Sequence, residues 1–483
     1  MQIMPIKNNY ENDLLLEAKS RKITTKFINI VHDLWYEKSI ELVIFRNSLI
    51  DKRTSEVLNL VSYTKKFINK PISISDILEI SQYIRELDLP PSKLDIGKLV
   101  YEYHSNSPKK LDKKLFISSQ LKDIKKTKTQ APKDVILYGF GRIGRLLTRE
   151  LMVQIGAGSQ LRLRAIVTRG EINESVLEKR ASLLRVDSVH GDFLGTVEVN
   201  TKAKALIING TTVYMISASN PEDIDYTKYQ IKDALVIDNT GAFRDFNELN
   251  RHLISKGAGK VLLTAPGKGV PNIVHGVNHK IYNPELNKIY SAASCTTNAI
   301  TPILKVIEGE FGIKKGHIET IHAYTNDQNL VDNMHSKHRR GRAAALNMVI
   351  TETGAAKAVS KALPSLKDKL TSNAVRVPVP NGSLAILNLQ LHKSTNKENL
   401  NSLMKHHALK GDLVEQIKYS IDKELVSSDI IGTTAPSIYD SEATIANNET
   451  VVLYIWYDNE YGYTHQVIRL AKYISKVRRY TYY

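Results

Sequence analysis

The only cysteine of this 483-residue chain lies in the segment SAASCTTN, with hydroxyl side chains on both sides of it. The next residues, AITPILKVIEGEFG, have helical periodicity, which predicts that Cys295 lies near a helix N-terminus. The positive end of a helix dipole lowers the pKa of a thiol and favours the nucleophilic thiolate. The start of the helix and the role of the cysteine both stay open here. Pro302 either bends the helix or moves its start, and a lone cysteine among small residues is more often an inert core residue.

A histidine at the end of the next strand-like segment favours the reactive interpretation. The stretch HIETIHAYTNDQNLVD supplies His317 and His322 after an apolar step. A histidine bonded to a thiol raises the thiolate fraction and can accept or return a proton. His322 is the better candidate because it precedes a polar loop, whereas His317 is expected to be a surface or otherwise satisfied histidine. Cys295 and His322 are therefore the predicted nucleophile and base.

A glycine-rich turn predicts a dinucleotide site. Gly139, Gly141 and Gly144 follow the strand-like run VILY and precede the helical run RLLTRELM. This spacing permits a tight turn, and the amides of the next helix would then be directed at a pyrophosphate. The alternative is a strand-to-helix turn with no ligand. The acidic residue that normally holds the adenosine ribose is missing, because Thr168 and Arg169 follow the second strand-like run.

The elements that must position these residues fall into two regions. From Asp134 onward, short β-rich runs alternate with helical patterns, which predicts an α/β domain with a parallel sheet. The first hundred residues have apolar residues at helical spacing, punctuated by prolines, and predict a small all-α domain of about four helices. Asp76 is a helix N-terminal signal there. Eight lysines against two aspartates between Lys109 and Lys128 predict an exposed basic linker.

Composition is that of an ordinary globular protein with 42% hydrophobic and 24% charged residues. The net charge of +17 predicts anionic partners, without identifying them. A single cysteine excludes an intrachain disulfide and suits a reducing compartment. The first residues lack the pattern of a signal or transit peptide, and no apolar run reaches bilayer length, so the cytoplasm is the predicted location and no membrane association is expected.

At this point the chain resembles the phosphorylating glyceraldehyde-3-phosphate dehydrogenase family. The motifs SAASCTTN, HAYTNDQN, RRGRAAALN, TGAAKAV, RVPVPN and WYDNEYGY follow GFGRIGR in the order found in that family. The resemblance covers about seven tenths of the chain and identifies a long form with an N-terminal helical extension. It implies a homotetramer. The implied organisation is a helical extension at 1–106, a basic linker at 107–131, a Rossmann domain at 132–294 completed by a helix at 459–477, and an α+β catalytic domain at 295–458.

The resemblance also implies a mechanism and a set of site residues. Cys295 attacks the aldehyde, His322 assists, hydride passes to NAD or NADP, and inorganic phosphate enters at the thioester; no metal is required. The implied phosphate ligands are Thr325, Asp327 and Arg376 for the C3 phosphate, and Ser294, Thr296, Thr353 and Gly354, with Arg340 as an addition, for inorganic phosphate. The implied cofactor contacts, besides the three glycines, Thr168 and Arg169, are Arg142, Ile143, Thr240, Thr264, Asn459 and Tyr463. Taken singly, each of these residues would be read as a surface turn or a cap.

Departures and alternatives remain. Glu352 stands beside Thr353 where the family usually has a small hydroxyl residue, and a carboxylate near a phosphate site is unfavourable unless it points away. Erythrose-4-phosphate dehydrogenase shares the same Cys and His layout. The basic extension offers a third reading as a nucleic-acid or assembly module, but no RNA-recognition signature with paired aromatics is visible, which argues against nucleic acid. The sequence does not distinguish a glycolytic from a gluconeogenic role.

Overall fold

A computed structural model of the chain describes residues 10–65, 68, 72–106, 112–124 and 131–483. The chain divides into two compact units. The first unit comprises Met1–Pro132, Ile155–Gln160 and Arg478–Tyr483, and the second comprises Lys133–Gln154 and Leu161–Val477. Across the described ranges, no helix combines the length and the apolar character needed to span a bilayer.

The first unit combines helices with a small sheet. Its helices within the described residues are α1 (Tyr10–Lys38), α2 (Thr54–Thr64), α3 (Ile74–Glu86), α4 (Ile96–Asn106) and α5 (Lys113–Gln120). Its strands are β1 (Glu41–Ile44), β2 (Asn47–Ser48), β3 (Ser92–Asp95) and β21 (Tyr480–Tyr482), in the order β2-β1-β3-β21. Asp76 lies in the first turn of α3, where its amide donates to the side chain of the N-cap Ser73, so the predicted helix start is confirmed.

The prediction that this region is all-α is therefore wrong. Helix α1 ends at Lys38, Ser39 takes a positive φ of 52°, and the run ELVI, which carries on the apolar pattern, forms β1 instead. A four-residue apolar run cannot be assigned to helix or strand by its periodicity. The partner of β3 is the parallel strand β21 from the other end of the chain, with Tyr480 opposite Ser92. Local sequence carries no signal for such a pairing.

The predicted exposed linker is also corrected in part. Helix α5 lies within it, capped by Asp112, and Phe116 and Ile117 are buried in the core of the first unit. Leu121 and Ile124 are fully buried as well. The lysine-rich composition concealed these apolar positions, which recur at helical spacing. Residues 107–111 and 125–130 of the predicted linker lie outside the described residues.

The second unit begins with a sheet that has dinucleotide-binding topology, which confirms the predicted Rossmann-type α/β fold. The order of its strands is β13-β12-β11-β4-β5-β10-β9-β8. The parallel strands are β4 (Lys133–Tyr138), β5 (Leu161–Thr168), β10 (Thr211–Ser217), β11 (Ala234–Asp238), β12 (Ala258–Leu263) and β13 (Ile289–Ser291), and β8 (Val197–Asn200) and β9 (Ala205–Ile208) continue the sheet antiparallel. Its helices are α6 (Arg142–Val153), α7 (Glu174–Arg185) and α8 (Phe246–Ile254), and a two-stranded ribbon is formed by β6 (Val186–Asp187) and β7 (Gly191–Asp192).

The central strand β4 pairs with β5 on one side and with β11 on the other. Strand order therefore reverses beside β4. Ligands of open α/β sheets bind outside the carboxyl ends of the strands at such a switch point. The glycine turn follows β4 directly, Thr168 ends β5, and Thr240 and Thr264 follow β11 and β12. The topology thus gathers the predicted cofactor residues at one edge of the sheet.

A second, mostly antiparallel sheet carries the other candidate residues. Its order is β15-β16-β14-β17-β20-β19-β18. These strands are β14 (Ile313–Ala323), β15 (Val349–Thr351), β16 (Leu370–Val377), β17 (Ser383–Thr395), β18 (Ile417–Ser420), β19 (Ser437–Asp440) and β20 (Ile445–Tyr457). The helices are α9 (Cys295–Glu310), α10 (Ala355–Ala362), α11 (Lys397–Leu409) and α12 (Tyr461–Ile474). Helix α9 is largely buried, and its apolar side chains share one core with the inner positions of β14, β17 and β20.

The last helix, α12, is tied to the helix that follows the glycine turn. The Tyr461 hydroxyl donates to Glu150 of α6 at 2.7 Å, and His465 pairs with the same carboxylate at 3.1 Å. These partners hold the pKa of the buried Glu150 carboxyl at about 2, in spite of the opposing effect of burial. The start of α12 is thereby fixed against the Rossmann-type sheet.

Candidate active site

Cys295 is the first residue of α9, so its predicted place at a helix N-terminus is confirmed. Ser294 is the N-cap, and its hydroxyl accepts a hydrogen bond from the amide of Thr297 at 3.1 Å. Pro302 lies inside the helix and does not move its start. The Cys295 Sγ atom lies 3.6 Å from Nε2 of His322, which stands next to the end of β14. The structure thus brings the predicted nucleophile and base into contact.

The imidazole of His322 is buried and held at its other nitrogen. Nδ1 lies 2.6 Å from the carbonyl oxygen of Ala323 and 2.6 Å from Nη1 of Arg376. Burial lowers the pKa of His322 to about 3, and the Arg376 charge acts in the same direction, so the ring is neutral near pH 7. When Nδ1–H donates to Ala323, the lone pair on Nε2 is directed at the thiol and can accept its proton.

The pKa of the Cys295 thiol differs from the prediction. Burial raises the pKa of Cys295 above its usual value, and this effect outweighs the opposing influence of the Arg376 guanidinium and the Thr296 amide. The lowering expected at a helix N-terminus does not offset the cost of removing the charge from water. The resting pair is therefore a thiol beside a neutral imidazole, and the proton moves from Sγ to Nε2 when the nucleophile is used.

Two arginines supply positive charge beside this pair. Arg376 lies opposite His322 in the register of β14 and β16, and its Nε is buried without a hydrogen-bond partner among the residues that are described. A buried, unused guanidinium donor fits an anionic ligand. Arg340 donates from Nε and Nη2 to the Thr351 hydroxyl at 3.1 and 2.8 Å and forms an ion pair with Asp327. The structure therefore joins Asp327 and Arg340, which the sequence assigned to different phosphates.

The remaining phosphate candidates lie at two chain positions. Thr353 and Gly354 immediately precede α10, where helix amides and the dipole favour an anion. The Thr353 hydroxyl accepts from the amide of Ala355 at 3.3 Å. Glu352, which precedes Thr353, is exposed to solvent. Thr325 lies in the loop just beyond β14.

Ser294 and Thr296 flank the thiol, but both hydroxyls have protein partners. Ser294 Oγ bonds Thr297 Oγ1 at 2.7 Å in addition to its role as N-cap. Thr296 Oγ1 lies 3.0 Å from the Tyr457 hydroxyl and is buried. An incoming phosphate would therefore share these hydroxyls with existing hydrogen bonds.

The glycine turn fits a dinucleotide. Gly139 has a φ of 102°, a conformation that side chains other than glycine rarely adopt. A Cβ on Gly144 would lie 2.4 Å from the carbonyl oxygen of Gly139, so the helix approaches the strand as closely as the motif requires. A Cβ on Gly141 would meet no atom within 4 Å, which leaves that side of the turn open to a ligand. Helix α6 starts here, and the amides of Arg142 and Ile143 lie in its first turn.

The Arg142 side chain is engaged elsewhere. It donates from Nε to Glu460 at 2.8 Å and from Nη1 to Asp187 at 2.7 Å, and His190 contacts the same glutamate at 2.9 Å. The contribution of Arg142 to a cofactor site therefore comes from its main-chain amide. Its side chain links the glycine turn to the residue that precedes α12.

The other strand ends are preorganised by a buried carboxylate. Asp238 Oδ1 accepts from the amide and the hydroxyl of Thr240 at 2.8 and 2.7 Å, and the Asp238 carbonyl accepts from the Thr264 hydroxyl at 3.0 Å. His252 pairs with the other carboxylate oxygen at 2.9 Å. Sequence reasoning named both threonines but missed Asp238 and His252, which hold them.

At the end of the second strand, Thr168 is buried and Arg169 is exposed. The Thr168 hydroxyl is buried without a hydrogen-bond partner in the described part of the chain. No carboxylate occupies this position, as the sequence indicated.

Tyr463 lies close to the thiol, and Asn459 is linked through Ser383 to the strand end at Ala323. Asn459 is buried, and its Oδ1 accepts from Ser383 at 2.8 Å. The Tyr463 hydroxyl donates to the carbonyl of Ala293, two residues before Cys295, at 2.9 Å. Within the described residues, no cluster of histidine, cysteine and carboxylate side chains has the makeup of a metal site.

A dinucleotide-binding sheet, a Cys–His contact and two adjacent guanidinium groups together define an NAD(P)-dependent dehydrogenase that works through a cysteine thiol. Family comparison narrows this class. The family model for the glyceraldehyde 3-phosphate dehydrogenase NAD binding domain matches residues 133–246, and the model for the C-terminal domain of the same family matches residues 294–459. The chain belongs to the glyceraldehyde-3-phosphate dehydrogenase family.

Relatives cover different shares of the chain. A glyceraldehyde-3-phosphate dehydrogenase-like protein of Pseudomonas aeruginosa is 45% identical over 451 residues, which cover 92% of this chain and 97% of that protein. Glyceraldehyde-3-phosphate dehydrogenase 2 of Nostoc sp. is 41% identical over 344 residues, 71% of this chain and 98% of that protein. Glyceraldehyde-3-phosphate dehydrogenase 1 of Bacillus subtilis is 38% identical over 342 residues, 70% of this chain and 97% of that protein. The alignment with the Pseudomonas protein is too long to be confined to the dehydrogenase part.

Proposed function

We propose that this protein catalyses the reversible oxidative phosphorylation of glyceraldehyde 3-phosphate to 1,3-bisphosphoglycerate with NAD or NADP. The observation that carries the proposal is the contact of 3.6 Å between Cys295 Sγ and His322 Nε2, beside Arg376, in a chain of this family. Glyceraldehyde-3-phosphate dehydrogenases are the relatives that match.

In the oxidative direction, the Cys295 proton passes to Nε2 of His322 as Sγ forms a bond to the aldehyde carbon. The developing alkoxide accepts a hydrogen bond from the imidazolium that results. A nicotinamide cofactor held at the glycine turn would supply the hydride acceptor for that carbon. As hydride leaves that carbon, the alkoxide becomes the carbonyl of a thioester, and the proton taken from Cys295 stays on His322 until it is released to solvent. A phosphate oxygen then attacks this carbonyl, and Cys295 departs as the thiolate.

The C3 phosphate of the substrate and the inorganic phosphate each require fixed hydrogen-bond donors. For the C3 phosphate the proposed residues are Thr325, Asp327 and Arg376, with the buried Nε of Arg376 as the unused donor. For inorganic phosphate they are Ser294, Thr296, Thr353 and Gly354, with Arg340 nearby. The carboxylate of Asp327 is neutralised by its ion pair with Arg340, which makes a neighbouring phosphate acceptable.

The direct test follows NAD(P)H formation at 340 nm with each aldehyde in turn, with and without phosphate. Reduction that depends on phosphate, with kcat/KM larger for glyceraldehyde 3-phosphate than for erythrose 4-phosphate, supports the proposal. The reverse preference would indicate an erythrose-4-phosphate dehydrogenase. Reduction that proceeds fully without phosphate would contradict the phosphorylating step.

We further propose that the enzyme accepts NADP as well as NAD. A carboxylate at the end of β5 would repel the 2′-phosphate, and Thr168 and Arg169 offer a hydroxyl and a guanidinium instead. Charge-assisted bonds to that phosphate contribute about 1.5 to 3 kcal/mol each where well formed. In Thr168→Asp, kcat/KM for NADP is expected to fall at least about tenfold, while kcat/KM for NAD changes little.

Arg169→Ala is the companion variant for this prediction, because Arg169 is exposed and its removal leaves the strand intact. It should lower kcat/KM for NADP alone. Wild-type selectivity for NAD that neither substitution alters would place ribose recognition elsewhere and refute the assignment.

We propose a homotetramer in the cytoplasm. Several apolar side chains between residues 330 and 350 are exposed in the single chain, including Met334 at 92%, Leu330 at 82% and Leu346 at 82%. Exposed apolar groups of this density mark association surfaces. The reducing cytoplasm would keep the reactive thiol of Cys295 free.

Leu346→Asp is expected to weaken this assembly because a carboxylate would be buried without a partner in an apolar interface. Light scattering after size-exclusion chromatography should give a mass of four chains for the wild type and a smaller mass for the variant. The matched control is Leu183→Asp, an exposed leucine on α7 outside the 330–350 stretch. A wild-type monomer would refute the proposed tetramer.

A further inference from the structure

Ser383 lies between two parts of the active site. It is the first residue of β17 and is fully buried. Its Oγ accepts a hydrogen bond from the Ala323 amide at 3.1 Å and donates to Asn459 Oδ1 at 2.8 Å. The Tyr457 hydroxyl is a further hydrogen-bond partner of Ser383. No motif in the sequence points to this serine.

We propose that Ser383 is a positioning residue that fixes the side-chain amide of Asn459 with its NH2 group available to the nicotinamide carboxamide. This inference rests on the proposed function, in which Asn459 orients the cofactor ring. The juxtaposition that carries it is a buried hydroxyl between the strand end at Ala323 and the amide of Asn459. Without such a bond, an amide can rotate and present either its oxygen or its nitrogen to a ligand.

The hydrogen bond from Ser383 Oγ to Asn459 Oδ1 sets the orientation of the amide. The Ala323 amide can only donate, so one lone pair of Ser383 Oγ is used there. The one hydrogen of Ser383 then goes to an acceptor, which on Asn459 is Oδ1. Nδ2 is therefore left on the other side of the amide.

The main chain of Asn459 is held separately. Oδ1 of Asp458 accepts from the amides of Glu460 and Tyr461 at 2.9 and 2.8 Å, and Oδ2 accepts from the Gly432 amide at 2.8 Å. These bonds do not involve Ser383. Loss of the Ser383 hydroxyl therefore releases the side-chain amide while leaving the backbone of the turn in place.

The Ser383 hydroxyl is also linked to His322, through the main chain of Ala323. The Ala323 amide that it holds belongs to the residue whose carbonyl lies 2.6 Å from Nδ1 of His322. Because Asn459 and the residue that holds His322 are bonded to one atom, the positions of the Asn459 amide and the His322 imidazole are linked. The principal role assigned here is nevertheless the orientation of Asn459, since Arg376 also contacts His322 Nδ1.

The test compares NAD with ADP-ribose, which lacks the nicotinamide, by isothermal titration calorimetry on the full chain. In Ser383→Ala the Kd for NAD is expected to rise about tenfold, as for loss of a buried hydrogen bond, while the Kd for ADP-ribose stays within about twofold. Ser441→Ala is the matched control, because Ser441 is also buried and its hydroxyl donates to the Ser420 carbonyl at 2.6 Å. It should change neither Kd. Ser383→Cys keeps the packing and provides a second measurement if the alanine variant does not fold.

A double-mutant cycle isolates the contact. In an Asn459→Ala background, Ser383→Ala should weaken NAD binding by less than about twofold, because the amide that it orients is absent. Equal weakening of NAD and ADP-ribose, or the same loss of NAD affinity without Asn459, would overturn the assignment. Failure of the proposed function would look different, since the wild-type protein would then reduce no cofactor with the aldehyde.

Discussion

Substitution of Cys295 by serine is expected to abolish turnover, with kcat reduced on the order of 10⁴-fold or more, as for loss of a covalent nucleophile. The chain contains no other cysteine that could replace it. A serine hydroxyl is not appreciably ionised near neutral pH, and a neutral imidazole with a pKa lowered to about 3 is a weak base for deprotonating it. Steady-state assays in both directions would measure the loss.

The serine variant should otherwise be intact. Cys295 packs against the core that α9 shares with the second sheet, and serine fits the same volume. Melting temperature and ADP-ribose affinity are therefore expected to stay close to the wild-type values. Dehydrogenase activity near the wild-type level in this variant would show that the reaction does not pass through a thioester at Cys295.

His322→Asn should slow turnover by roughly 10²- to 10⁴-fold, the usual contribution of a positioned acid or base. Asparagine keeps a polar side chain beside Ala323 and Arg376 but offers no nitrogen that accepts the Cys295 proton. The rate at which iodoacetamide alkylates the thiol at pH 7 should fall as well, because the partner that withdraws the proton is absent.

His317→Asn is the matched control on the same strand. His317 is exposed and pairs with Thr371 Oγ1 at 2.8 Å on the surface of the sheet. Its replacement should leave kcat and the alkylation rate close to the wild-type values. Equal losses in the two variants would mean that β14 as a whole, and not the imidazole of His322, is responsible.

The features that were predictable from sequence are those encoded by neighbouring residues. The glycine turn, the cap Ser294 and the helix that starts at Cys295 each depend on contacts within a few positions, and so the sequence pattern indicates them directly. His322 was found because it ends a strand beside a polar loop. Its contact with Cys295 spans 27 positions and was inferred from chemistry.

The features that escaped prediction depend on distant partners. Ser383 contacts Asn459 across 76 positions, and Arg142 contacts Glu460 across 318. The raised pKa of the thiol depends on burial, which is a property of the assembled core. Local patterns also misassigned the sheet of the first unit, because β3 pairs with a strand that lies almost four hundred residues later in the chain.

The pairing of β3 with β21 has a consequence for the order in which the parts of the protein fold. Chains leave the ribosome from the N-terminus at about 5 to 20 residues per second, and domains generally fold as units during synthesis. The edge of the first unit's sheet stays open until Tyr480–Tyr482 emerge, since β21 is the strand that pairs with β3 there. Arg479, whose guanidinium bonds Glu41 at 3.1 Å and lies over the Trp35 ring, arrives equally late. The sheet of the first unit is therefore completed only after the whole second unit has been synthesised.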